Sequence, residues 1–365
     1  MELSDLIAQQ IRETGPIPFN EFMECCLYDP WNGYYTTRCN SIGAEGDFYT
    51  SATLSPVFGA LLAKQLEQMW VQMGCLPFTI LEYGAGTGHL CRDIMTCLQT
   101  NTRMFAELRY CIIEKSPRMR KLARNLLTDR VEWYDSISEI PAINGCVLSN
   151  ELIDNFTVHR VVMEKELMEV FVDYQNGFCE LLRPAGTTLK AYLSELGIDL
   201  PKGFGTEINL QALDWISEVA SALKSGYVIT IDYGYSIADM CIPGKEKGTL
   251  LCYYKHSVND SFYEHIGEQD MTSFVNFSAL RHWGEKNGLR EAGFTDQRYF
   301  LTSLGFREQL LNILSGEQDV VLAAQKAAHI GHTLLIEMGS KYKVLIQEKG
   351  VAHSPLSGLG ICAPG

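Results

Sequence analysis

The stretch Ile80-Leu-Glu-Tyr-Gly-Ala-Gly-Thr-Gly-His-Leu90, ILEYGAGTGHL, decides how the rest of the chain is read. The run from Phe78 to Tyr83 has the length and composition of a buried strand. Gly84, Gly86 and Gly88 follow at alternate positions, and behind them Leu90, Ile94 and Leu98 recur at every fourth residue, the period of one helix face. A strand, a glycine turn and a helix in that order make a nucleotide cradle. The glycines let a ligand come close to the backbone, and the first turn of the helix offers N–H groups to an anion. The dinucleotide fingerprint G-x-G-x-x-G needs its third glycine where His89 stands, which disfavours a nicotinamide cofactor. The Gly-Lys-Ser/Thr ending of a phosphate-binding P-loop is absent too.

Working outward, strand and helix keep alternating. Arg109–Glu114 reads as a second strand, SPRMRKLARNLL as a helix, VEWYDS as a third strand and Gly145–Ser149 as a fourth. GYVITIDYGYS is a fifth, and Phe294–Thr302 and Tyr342–Gln347 are the last two. Apolar strands alternating with helices predict an α/β fold with a mostly parallel sheet covered on both faces. Residues 1–76 read as a helical N-terminal cap ending in a long, aromatic-rich loop, YDPWNGYYTTRCNSIGAEGDFYTSATLSP, and a helix. The first half of the core spans 77–155, and 156–208 is an antiparallel insertion with Asn176-Gly177 as a hairpin turn. The core resumes over 209–235, a second insertion runs over 236–289, and 290–350 carries the C-terminal core strands. Ser278 is expected to cap a helix over ALRHWGEKNGLREAG, and 351–365 is expected to be a disordered tail.

With 365 residues, 46% of them hydrophobic, the chain can bury a large core. No run of about 18 apolar residues predicts a membrane span. The twelve cysteines form no C-x-x-C, and they read as small apolar residues in a reducing cytoplasm. A net charge of −14 argues against nucleic acid as a partner and suits a cationic substrate or protein. His329 and His332 lack an acidic neighbour at metal-ligand spacing, so no metal site is expected, and Arg118–Lys121 reads as a solvated helix face.

E-x-G-x-G-x-G at the end of a first strand resembles motif I of class I S-adenosylmethionine-dependent methyltransferases. Further stretches resemble one family among them, the MidA-type methyltransferases, which include a mitochondrial complex I assembly factor that methylates a protein arginine. They are Gly15-Pro16-Ile17 with YDPWNGYY (28–35), GDFYTS (46–51), SNELID (149–154), IDYG (231–234), GTLLCYYKH (248–256) and QDMT (269–272) through Asn276-Phe277. Thr157 stands where the family usually has proline, and so does Ala85 in many relatives. The resemblance implies a Rossmann-like class I fold: seven strands, the last antiparallel, with a helical N-terminal cap and two insertions. It implies S-adenosylmethionine as cofactor, with Gly84, Gly86 and Gly88 as the cradle and Glu82 favouring the cationic end. Glu114, ending the second strand, is placed to accept both ribose hydroxyls, and Asp135 to meet the adenine amine. Gly46 and Thr50 of GDFYTS are expected to border the cofactor.

The acceptor chemistry follows. Guanidinium is permanently cationic and a poor nucleophile, so carboxylates must grip it and localise its charge away from the attacking nitrogen. Asn150, Glu151 and Asp154 lie past the fourth strand, where open α/β sheets bind ligands, and Asp47 is expected to cover the site from the N-terminal side. The expected partner is a protein presenting an arginine, a respiratory-complex subunit being one candidate, with homodimerisation left open. A bacterial-type cytoplasmic location is expected, whereas eukaryotic members of the resembled family are mitochondrial. Two other readings stay open: a methyltransferase for a small molecule, and a cofactor-binding assembly factor or scaffold with little catalysis.

Overall fold

The structure is a computed structural model that describes residues 2–37, 50–240, 246–255 and 257–360. The chain divides into two compact units. The first comprises Tyr49–Leu152, Ile216–Gly234 and Trp283–Gly365. Its sheet contains β1 (Phe78–Tyr83), β2 (Leu108–Ile113), β3 (Val131–Tyr134), β4 (Ile143–Asn150), β5 (Leu223–Tyr235), β6 (Arg290–Asp296) and β7 (Tyr342–Lys349) in the order β6-β7-β5-β4-β1-β2-β3. Strands β1 to β5 pair in parallel, and β7 runs antiparallel to both β5 and β6. This is the expected Rossmann-like class I sheet. Ile80, Leu81, Ile112, Val147, Leu148, Ile229, Ile231, Val344 and Leu345 are all buried, so the strands are apolar on both faces, as a helix-covered parallel sheet requires.

Three helices matter for the site: α1 (Pro56–Gln72), α2 (His89–Leu98) and α3 (Pro117–Leu126). Ser55 caps α1 by accepting the Val57 N–H, Ser116 caps α3 by accepting the Met119 N–H, and each is followed by proline at the first helical position. Leu90, Ile94 and Leu98 form the buried face of α2, as their spacing predicts. The strand order reverses between β1 and β4, and the carboxyl ends of these two strands form the switch point where such sheets bind ligands.

Three expectations need correction. Phe294–Thr302 is not one strand: β6 ends at Asp296 and Gln297–Ser303 is a helix. Gln297, Phe300, Leu301 and Leu304 are buried, and their helical spacing outweighs the strand preference of the aromatics. The helix assigned to 279–293 runs over Phe277–Lys286, and its cap is Asn276, whose Oδ1 accepts the Ala279 N–H at 3.2 Å. Ser278 lies inside the helix and accepts the Ile237 N–H instead. The tail is ordered through Gly360: Leu356 is buried, and Ser357–Leu359 form a 3-10 turn whose Gly358 sits against Phe300.

The second unit comprises Met1–Phe48, Ile153–Trp215 and Tyr235–His282. One antiparallel sheet orders Ile17–Pro18, Leu167–Tyr174, His159–Met163 and Gly205–Ile208, with Phe178–Pro184 joined to Leu167–Tyr174 through the expected Asn176-Gly177 turn. A smaller sheet joins Ser257–Asn259, Leu251–Tyr254 and Asp270–Thr272. Helices Leu3–Thr14 and Phe19–Tyr28 bury Ile7, Phe19, Phe22 and Leu27 in a core shared with Tyr34, Val172, Cys252 and Met271. Tyr34 of the aromatic-rich segment is thus a core residue, while Phe48 and Tyr49 lie outside the described residues. The nine described cysteines are free thiols. His329 and His332 are exposed on the helix Val320–His332, and no described helix is long and apolar enough to cross a membrane.

Candidate active site

The glycine loop connects β1 to α2. Gly84, Gly86 and Gly88 have φ of 70°, 53° and 84°, a region that disfavours L-residues by about 1–2 kcal/mol each. A Cβ on Gly84 would stand 2.7 Å from Leu152 Cδ1, and one on Gly88 would stand 3.0 Å from Ala123 Cβ on α3. The loop is therefore wedged between the turn after β4 and helix α3. The Gly84 N–H donates to Ile113 O and the Gly88 N–H to Ala85 O, both at 2.8 Å. Gly88 is the N-cap of α2 and has no side chain to satisfy the first-turn amides.

Glu114 follows the last residue of β2. Its Oε2 accepts the Gly86 N–H at 2.9 Å and its Oε1 the Ser116 N–H at 2.8 Å. A carboxylate has about four acceptor sites, so each oxygen keeps one for a ligand hydroxyl. Burial pushes the Glu114 pKa up, against the two backbone donors. Glu82, near the end of β1, is only 3% exposed, and its Oε2 accepts the Tyr110 hydroxyl at 2.6 Å. Burial pushes its pKa to about 7, so the full negative charge that the sequence suggests is not held at neutral pH. A cleft of about 580 Å³ opens beside Glu114, lined also by Pro117, Arg120, Lys121, Asn125 and Asp135. Asp135 is exposed and ion-paired with Arg120, whose guanidinium lies over Trp133.

On the other side of the switch point, β4 ends at Asn150 and the chain turns at Glu151. Glu151 has φ of 52°, strained for a residue with a side chain by about 1–3 kcal/mol. Its N–H donates to Ile231 O at 2.9 Å, which pins the turn to β5. Its Oε1 accepts the Ser51 N–H at 2.8 Å and Asn150 Nδ2 at 3.2 Å, and its Oε2 accepts the Tyr342 hydroxyl at 3.0 Å. Burial pushes its pKa to about 7, against these donors. Asn150 Oδ1 is buried and has no hydrogen-bond partner among the described residues.

Thr50 caps the short helix Ser51–Leu54, its hydroxyl accepting the Thr53 N–H, and so delivers the Ser51 amide to Glu151. Gly46 and Asp47 lie outside the described residues. Asp154 belongs to the second unit, in the 3-10 turn Ile153–Asn155, and is 4% exposed.

Sequence reasoning missed Ser51, Tyr342 and Asp232 as site residues. Asp232 Oδ2 accepts the Leu152 N–H at 3.2 Å and so holds the turn. A lone carboxylate inside the apolar strand VITIDYGY is a signal that points to it. Tyr342 sits 191 positions from its partner and carries no local signal.

Three positive-φ glycines, a strand-end carboxylate tied to their loop and an unsatisfied acceptor beside them fit an adenosyl amino acid. Comparison with known proteins decides the matter: a family of S-adenosyl-L-methionine-dependent methyltransferases matches residues 61–295. The chain belongs to that family. A superfamily member from Burkholderia thailandensis, whose crystal structure holds S-adenosyl-homocysteine, is similar to this methyltransferase, with 30% identity and a TM-score of 0.87. The match covers 98% of this chain and 94% of that one. The mitochondrial protein arginine methyltransferase NDUFAF7 homolog of Drosophila melanogaster is 26% identical over 97% of this chain and 86% of its own length. Human mitochondrial NDUFAF7, also named a protein arginine methyltransferase, is 26% identical over 84% of this chain and 74% of its own. The cofactor of this methyltransferase is S-adenosylmethionine.

Proposed function

We propose that this methyltransferase methylates an arginine side chain of a protein. The observation that carries the proposal is Glu151: a buried carboxylate in a strained turn at the switch point, oriented by Ser51, Asn150 and Tyr342. A strained, fully oriented carboxylate beside a cofactor loop suits a cationic acceptor far better than a neutral one. The names of the Drosophila and human relatives agree with that acceptor.

The bound cofactor supplies an electrophilic methyl group on a sulfonium. The negative charge of Glu151 draws the guanidinium's positive charge toward its nearest nitrogen and leaves electron density on the attacking one. Transfer would form a nitrogen–carbon bond as the sulfonium's bond to the methyl group breaks, its electron pair returning to sulfur to release the neutral thioether. The extra N–H proton left on the product is one that Glu151 is placed to take. Asn150 Oδ1 supplies a further acceptor for a cationic N–H, and Asp154 and Asp47 add negative charge on the acceptor's side. The glycine loop and the start of α2 hold the amino-acid end of the cofactor, Glu82 lies toward its cationic end, Glu114 holds the ribose and Asp135 the adenine, and Gly46 and Thr50 border the cofactor.

A respiratory-complex subunit is the proposed class of target, in keeping with the family resemblance. The free thiols support a reducing compartment such as a bacterial cytoplasm. Mass spectrometry of the proteome with and without the intact gene tests the proposal. A methylarginine that disappears with the gene and returns with it is expected. An unchanged arginine-methyl profile together with a missing methylated metabolite would assign a small-molecule acceptor instead.

A further inference from the structure

The turn that carries Asp154 is gripped by side chains with no role so far. Tyr35 Oη stands 2.7 Å from Asn155 Oδ1 and 2.8 Å from Asp270 Oδ1. A hydroxyl has one proton, so that proton is shared between two oxygens. The Tyr28 hydroxyl donates to the Asn155 carbonyl at 3.0 Å, and the rings of Tyr28 and Tyr35 stack at 5.5 Å. From another side the Ser273 N–H donates to the Asp154 carbonyl at 3.0 Å. Asp270 also accepts its neighbour's amide, from Met271, at 2.9 Å, which fixes the carboxylate it offers to Tyr35. Three segments far apart in sequence, YDPWNGYY, SNELID with the residue after it, and QDMT, thus meet at one turn.

Hydrophobic packing alone does not call for this arrangement. Asp270 is 1% exposed and Asp154 4%, and both bear electrostatically on Tyr35. Burying two carboxylates near one tyrosine is unfavourable, whereas apolar side chains of similar volume would hold a purely structural turn at less expense. Such a network fixes one geometry of the turn.

We propose that Asp270 and Tyr35 are positioning residues for methyl transfer: they lock Asn155, and with it the turn that presents Asp154 to the acceptor. This rests on the reading of Asp154 as an acceptor-side carboxylate. Tyr35→Phe keeps the ring stack and removes the shared proton, so the turn gains freedom while its packing stays.

The test uses the full chain with tritiated S-adenosylmethionine and, as acceptor, protein extract from a strain lacking the gene. Label recovered in methylarginine is followed against extract concentration, and cofactor affinity is measured by calorimetry. Tyr35→Phe is expected to raise the half-saturating extract concentration about tenfold, the effect of losing one well-placed hydrogen bond, with cofactor affinity unchanged within about twofold. Asp270→Asn should act in the same direction, and if it fails to fold Tyr35→Phe carries the test alone. Tyr35→Phe combined with Asp154→Asn should lose no more than Asp154→Asn alone, because both act through one carboxylate. Additive losses would mark a general structural role and overturn the proposal. So would an unchanged half-saturation in Tyr35→Phe when Asp154→Asn raises it. If Asp154→Asn itself changes nothing, the underlying reading of Asp154 fails and the proposal fails with it.

Discussion

Glu114 accepts the Gly86 N–H at 2.9 Å, so the carboxylate we propose for the ribose also fixes the loop we propose for the methionine end. On that proposal, binding and loop order are coupled through one side chain. Glu114→Gln replaces one acceptor oxygen with a donor that cannot satisfy an amide N–H. Cofactor affinity should fall by roughly 1.5–3 kcal/mol, the range for a hydrogen bond to a charged group. Calorimetry checks this, and an unchanged affinity would reduce Glu114 to a loop brace.

Gly86→Val should abolish cofactor binding. The φ of 53° at this position opposes any β-branched residue, and relaxing it moves the amide that Glu114 holds. The variant should still melt cooperatively but show no thermal shift with S-adenosylmethionine. A normal shift would place the cofactor elsewhere.

The acid limb of activity should report Glu151. Burial holds its pKa at about 7, and the carboxylate must be ionised to grip a cation, so the rate should rise with pH through that value. Tyr342 donates to the ionised form and thereby lowers the pKa. Tyr342→Phe removes that donor and should move the midpoint to higher pH. A midpoint that stays in place would assign Tyr342 to packing.

Glu82 sets a pH dependence of stability. Its folded pKa of about 7 lies above the ordinary value of 4.5, so between the two the folded state binds more protons than the unfolded one. Stability from this group therefore falls as pH rises through that window. Glu82→Gln keeps an acceptor for Tyr110 but cannot ionise. The variant should lose this part of the slope and gain melting temperature over the parent at about pH 8, more than at about pH 5. Identical slopes would mean that Glu82 does not titrate in the folded protein.

How much of this was legible follows from range. The glycine loop and Glu114 are local features, set by a strand end, a turn and a helix start within a short stretch, and they stand where the pattern puts them. Asn150 and Glu151 were placed at the right strand end for the same reason. What orients Glu151 comes from 100 and 191 positions away, through Ser51 and Tyr342, and no local pattern encodes such pairs. Tyr299 and Phe300 favour strands, yet Gln297–Ser303 is a helix, because the deciding burial of Gln297 and Leu301 is tertiary. Asn276 and Ser278 are both good capping residues, and only the hydrogen bond to Ala279 chooses between them.

The most direct test of the central claim is methyl transfer by Glu151→Gln. The substitution keeps size and hydrogen-bonding reach and removes the charge. Tritium from S-adenosylmethionine recovered as methylarginine should fall about 10²-fold or more, as when an oriented electrostatic contact to a transition state is lost. Cofactor affinity should stay within about threefold, or ~0.7 kcal/mol. Transfer at the parent rate, with cofactor binding intact, would contradict the account.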